Sequence, residues 1–137
     1  MNLREGAMKA SRSKTPIFLC VISLICFFPL RANSQAMKIS IADIYANPNK
    51  YDQRMVQVEG RVLFLKSKIC KKGNYTTLEL DDNSGRSLTI FSYGHFPINR
   101  GDKVRVIGIY KKVIRVPPNY TFYNEIDATT GVIERQR

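Results

Sequence analysis

Histidine occurs once in the 137 residues and cysteine three times. Cys20 and Cys26 fall in an apolar leader, so Cys70 is the one cysteine beyond it. No internal disulfide can then form in the rest of the chain, which must be held by a hydrophobic core. One His and one Cys also leave nothing for a zinc site or for a Ser-His or Cys-His nucleophile. Asp81 and Asp82 are adjacent at a turn and alternate across it, so they make no paired acid–base site. Neither a metal, another cofactor nor catalysis is expected. His95 reads as a loop residue, with no charged group placed to tune it. The chain has no internal repeat and no low-complexity segment. Acids are scarce too: 11 Asp and Glu stand against 22 Lys and Arg, a net charge of +11.

The N-terminal part has the order of an export signal. Arg4, Lys9, Arg12 and Lys14 precede the apolar run Ile17–Leu30, and the small-x-small triplet Ala32-Asn33-Ser34 follows. Fourteen apolar residues with Pro29 near the end fall short of the ~20 that a spanning helix needs. The residues ahead of Cys20 and Cys26 are too bulky for a lipobox. The expectation is therefore a signal peptide over residues 1–34, cleaved after Ser34, with no stable membrane anchor left. A start at Met8 would only shorten the basic region. The domain, residues 35–137, would be periplasmic or secreted. It carries 17 Lys and Arg against 10 Asp and Glu, a balance of +7. Such a surface favours polyanions: nucleic acid, anionic lipid headgroups or acidic glycans.

Within the domain, Met55–Leu65 alternates in period two. Val56, Val58, Val62 and Phe64 share one parity, while Gln57, Glu59 and Arg61 share the other, the pattern of a half-buried strand. Gly60 at its middle lets a long strand bend and serve two parts of a sheet. Before it, residues 35–39 read as a flexible lead-in. Ser40 reads as the N-cap of a short helix with Asp43 in its first turn. Ile41, Ile44 and Tyr45 would cover a barrel end, and Pro48 stops the helix. Asn47–Asp52 then has turn chemistry. Tyr75–Asp81 and Ser87–Phe91 form a hairpin about the turn Asp82-Asn83-Ser84-Gly85. Thr76, Leu78, Leu80, Leu88 and Ile90 point inward, and Tyr75, Thr77, Glu79, Thr89 and Phe91 outward. Residues 92–100 are irregular. Lys103–Lys112 is a fourth strand, Val116–Asn119 a stiff loop, and Tyr120–Val132 a fifth strand with Phe122, Ile126 and Ala128 on one parity. The fold class is all-β: a five-stranded Greek-key barrel with a short N-terminal capping helix.

The segments Val58-Glu59-Gly60, Leu80–Gly85 and Gly101–Gly108 together resemble an OB-fold of the anticodon-binding kind. The approach Ile41–Asp52 is similar to that of small exported bacterial OB-fold proteins. The resemblance covers Ile39 to Ile133, and its motifs are structural, specific for fold and weak for function. It implies a ligand face on the second and third strands, flanked by the loops after strands one and four. Lys66, Lys68, Lys71 and Lys72 fall in the first of these loops, and Lys111, Lys112 and Arg115 in the second. Tyr75, Thr77 and Phe91 occupy the face between, with Arg61 nearby. Cations that track phosphates beside rings that stack on bases are how single strands are held. Some OB-fold haem chaperones carry a reactive His followed four positions later by Tyr. Here that position is Asn99, and the role does not transfer to His95. The expected function is binding of single-stranded nucleic acid or another polyanion by a monomer. The alternatives are an envelope protein–protein assembly module and a binder of a small anionic ligand or glycan.

Overall fold

A computed structural model describes residues 35–137. The expected signal peptide lies outside the described residues. The described residues build six strands and two short helices in the order β1 (Met37–Lys38), α1 (Ile41–Ala46), α2 (Pro48–Tyr51), β2 (Met55–Cys70), β3 (Gly73–Asp81), β4 (Ser87–Tyr93), β5 (Lys103–Val116) and β6 (Tyr120–Arg135). Hydrogen-bonded neighbours run β1-β2-β3-β4-β6-β5, and β5 returns to β2, so the sheet closes. β4 and β6 pair in parallel; the other long pairs are antiparallel. This is an all-β, OB-like barrel of five long strands.

Period-two patterning explains which side chains fill it. Val56, Val58 and Val62 of β2, Leu78 and Leu80 of β3, and Leu88 and Ile90 of β4 are buried. Each such residue contributes roughly 1.5–3 kcal/mol relative to exposure. Tyr110 is the largest fully buried side chain among the described residues. Its hydroxyl donates to Asn124 Oδ1 at 2.6 Å, and burial pushes its pKa up to about 12. β2 changes partner at its middle. Residues 55–61 pair with β5, and residues 61–70 pair with β3. Gly60 sits at that change with no room for a side chain: a Cβ there would lie 2.4 Å from the Asp81 carbonyl oxygen.

α1 closes one barrel end. Ser40 Oγ accepts from Asp43 N at 3.0 Å and the Asp43 carboxylate takes the Ser40 N–H, a reciprocal cap. Ile41 and Ile44 enter the core. Asp82 at the β3–β4 turn accepts from Ile41 N at 2.7 Å, and the Tyr45 hydroxyl donates to Ser87 O at 2.8 Å. Those bonds fix the helix to the hairpin.

Several expectations need correction. The sheet has six strands, because Met37–Lys38 of the lead-in pairs in parallel with Val56 and Gln57. Asn47–Asp52 is not only a turn: Pro48 starts a second helical turn from its first position, where a missing N–H costs nothing. Phe64 is not inward. The β2–β3 register shifts between Val62 and Phe64, so Leu63 is an extra residue, Phe64 turns out at 55% exposure, and Leu65 takes the inner parity. Phe122 keeps its parity with Ile126 yet is 48% exposed, because β5 and β6 run past the core there.

Candidate functional site

The two cationic loops are strands. β2 and β3 stay paired out to Cys70 and Gly73, which leaves a turn of Lys71 and Lys72. Lys66 and Lys68 therefore stand on an extended arm. Likewise β5 and β6 stay paired out to Val116 and Tyr120, so Lys111, Lys112 and Arg115 are strand residues and Pro117–Asn119 alone make the turn. Alternation then decides where each cation points.

On the first arm the outer parity is Phe64, Lys66 and Lys68, opposite Glu79, Thr77 and Tyr75. β4 continues these rows: Tyr75 lies opposite Tyr93, Thr77 opposite Phe91, and Glu79 opposite Thr89. Three rings thus meet on one face. The Tyr75 and Phe91 centroids are 5.6 Å apart at 35°, and those of Phe91 and Tyr93 are 5.3 Å apart, edge to face. Both separations suit favourable aromatic pairing. Tyr75 and Phe91 are half-buried and Tyr93 is 57% exposed. The arm under them is held from its inner side. Buried Thr76 shares a hydrogen bond with Ser67 Oγ at 3.1 Å and donates to Gly94 O at 2.7 Å.

Sequence reasoning missed Tyr93, although it follows Phe91 by two residues and so shares its face. The other expected residues divide. Lys66, Lys68, Tyr75, Thr77 and Phe91 share the face, with Lys71 and Lys72 at the arm's tip. Arg61 does not join them. It pairs with Asp81, six residues along β3 from Tyr75 and so about 20 Å away. Its guanidinium donates to Gly101 O at 3.2 Å. Lys111 is on the outer parity but forms an ion pair with Asp127 at 2.6 Å. Lys112 turns to the opposite side, where its Nζ donates to Asn49 Oδ1 and its backbone N–H to Asp52 Oδ1, both at 2.8 Å. Arg115 is exposed near the second tip.

The face has an acidic border as well. β6 runs beside β4 with Glu125 opposite Thr89 and Asp127 opposite Phe91. Burial pushes the Asp127 carboxyl up, but hydrogen bonds from Lys111 and Thr129 outweigh it and hold it below the ordinary range. Burial first, then the Asp127 charge, lifts Glu125 above that range, with Lys111 pulling the other way. Glu79 on β3 accepts from Ser87 Oγ. One row of the face therefore runs from Lys66 on β2 over Thr77 and Phe91 to Asp127 on β6, and the next from Phe64 over Glu79 and Thr89 to Glu125.

The second arm exposes apolar side chains on both sides, among Lys112, Arg115 and Thr121. Val113 and Tyr123 on one parity, and Val116, Tyr120 and Phe122 on the other, are all exposed. Cys70, also exposed, ends β2.

No protein-family model matches the chain, and neither does any curated protein. Solved structures do. The yeast Stn1 and Ten1 structure shares 14% identity at a TM-score of 0.54, over 75% of this chain and 64% of that one. An aspartyl-tRNA synthetase from Leishmania major Friedlin shares 14% at 0.48, over 68% and 19%. RecG bound to a three-way DNA junction shares 15% at 0.47, over 72% and 12%. This chain thus spans less than two thirds of the length of any of the three. The likeness to the yeast structure shows a shared fold.

Proposed function

We propose that the barrel binds a flexible single-stranded nucleic acid across the outer face of β2, β3 and β4, and that it binds without catalysing. The observation that carries this reading is the ring cluster Tyr75–Phe91–Tyr93, set beside Lys66 and Lys68 on the adjoining strand. Aromatic faces accept any base by stacking, and a neighbouring row of ammonium groups follows the phosphates. An OB-like barrel offers this surface between its two arms. With the basic, apolar and small-residue leader over residues 1–34, the proposal extends to a periplasmic or secreted, monomeric protein.

Fluorescence anisotropy of a labelled oligonucleotide tests the reading. Phe91→Ala and Tyr93→Ala are each expected to weaken binding by ~1–3 kcal/mol, the usual worth of one stacked base. Thr121→Ala, on the exposed second arm, is expected to leave it unchanged. Unaltered affinity in both ring variants would sink the proposal.

A second reading rests on the β5–β6 arm. A ribbon that exposes Val113, Val116, Tyr120, Phe122 and Tyr123 suits a protein partner with a receiving groove, as in an envelope assembly module. It becomes the better reading if the ring variants bind oligonucleotide like the unmodified chain.

A further inference from the structure

A nucleic-acid single strand is lopsided: its phosphates lie along one side and its base edges along the other. The face described above is lopsided in the same sense. Lys66 and Lys68 stand on β2, the rings on β3 and β4, and Glu125 and Asp127 on β6, while the carboxylate of Glu79 on β3 is taken up by Ser87. Three strand spacings separate β2 from β6, about 14 Å. A nucleotide laid across them, met by the reach of a lysine, covers that distance. Laid the other way, phosphates would face Glu125, which has no ion pair among the described residues, whereas Asp127 is paired with Lys111, and like-charge repulsion disfavours that placement.

Resting on the single-strand reading, we propose that the bound strand lies with its phosphates over β2 and its base edges toward β6. The site would then prefer bases that carry an exocyclic amine, cytosine foremost, over thymine and uracil. The chemistry is that of donors and acceptors. An ionised carboxylate only accepts hydrogen bonds. Cytosine N4 offers a donor to it, whereas thymine O4 is an acceptor. Carboxylate against carbonyl leaves both without a donor, and such an unmet pair is costly once water is excluded. Glu125 is the discriminating residue. Asp127 is already engaged by Lys111 at 2.6 Å and by Thr129 N at 3.0 Å, and Glu79 by Ser87. Glu125 has no side-chain hydrogen bond among the described residues and lies level with Thr89, next to the Phe91 row.

The test uses the full chain and labelled oligo-dC and oligo-dT of equal length, at neutral pH and one salt concentration. Oligo-dC is expected to bind about tenfold tighter, which is ~1.4 kcal/mol. Glu125→Gln supplies both a donor and an acceptor, so the ratio should fall to about twofold or less, mainly because oligo-dT binds better. The ratio is internal to each variant and does not depend on how much of the sample is folded. Equal binding of both oligonucleotides by the unmodified chain, still weakened by Phe91→Ala, overturns the inference and leaves the single-strand reading standing. A preference for oligo-dC that survives Glu125→Gln overturns the assignment to Glu125. Binding of either oligonucleotide that ignores Phe91→Ala and Tyr93→Ala removes the reading itself, and the inference with it.

Discussion

Gly131→Val is expected to destabilise the barrel by ~3–4 kcal/mol, toward the top of the range for single substitutions. β5 and β6 change register between Ile107 and Ile109, so four residues of β6, 128–131, are accommodated opposite Gly108. The extra chain forces the two backbones together. A Cβ on Gly131 would lie 1.8 Å from the Ile107 carbonyl oxygen and 2.8 Å from its carbon. No rotamer relieves that contact, since both partners are backbone. Either the β5–β6 pairing opens or the strand shifts, and each loses ladder hydrogen bonds. Gly60→Val should act likewise at the place where β2 passes from β5 to β3, with a cost of ~2–4 kcal/mol. Thr130→Ala, exposed and adjacent, is the control, expected within about 0.5 kcal/mol. Urea denaturation followed by circular dichroism reads all three. A midpoint for Gly131→Val equal to that of the control would mean that the two strands do not approach as described.

The contrast between Gly60 and Gly131 shows what the sequence discloses. Gly60 interrupts a clean alternation, Val-Gln-Val-Glu-Gly-Arg-Val, and so marks itself as a place where a strand bends. Gly131 follows Ala128-Thr129-Thr130, where the alternation has already lapsed, and nothing local announces a close approach. The β3–β4 hairpin was legible from Tyr75 to Phe91, because each strand alternates there without interruption and the turn residues between them are specific, but its ends at Gly73 and Tyr93 were not. Phe64 was not. An extra residue at Leu63 reverses the parity of everything after it, and both Leu63 and Phe64 are apolar, so the pattern carries no mark of the slip.

The arms escaped for a different reason. Ser67-Lys68-Ile69-Cys70 and Val113-Ile114-Arg115, beyond the expected end of the fourth strand at Lys112, look like loop because they are polar or mixed. They are strands because the facing chain completes their backbone hydrogen bonds. Which lysines serve the face follows from register alone. Lys111 and Asp127 are sixteen residues apart in sequence and meet only through the β5–β6 pairing. Arg61 sits on the correct parity, and only its register with Asp81 removes it from the ring cluster.

Salt should weaken oligonucleotide binding steeply, and the loss should be traceable to one arm. Each phosphate that a lysine neutralises releases condensed counterions, so log K falls against log salt with a slope of about −0.7 per contact for a single strand. Lys66 and Lys68 on the outer parity of β2, with Lys71 and Lys72 at its turn, supply up to four contacts. The slope is then about −2.8, and a fourfold rise in salt costs about fiftyfold in affinity. Replacing Lys66 and Lys68 together by Gln should flatten the slope by about 1.4, since two contacts are lost. Replacing Lys111 and Lys112 should leave it as it was, because Asp127 already offsets the first and the ammonium of the second turns to Asn49 on the opposite side of the strand. The ring variants should lower affinity at every salt concentration and keep the slope, because stacking displaces no ions. A protein that is merely basic would lose slope in proportion to the number of lysines removed, from whichever arm they came. Anisotropy titrations of these variants over a range of salt distinguish the two cases. Equal flattening by the two double replacements would show that the β2 lysines hold no special place, and that the charge acts only as a diffuse field.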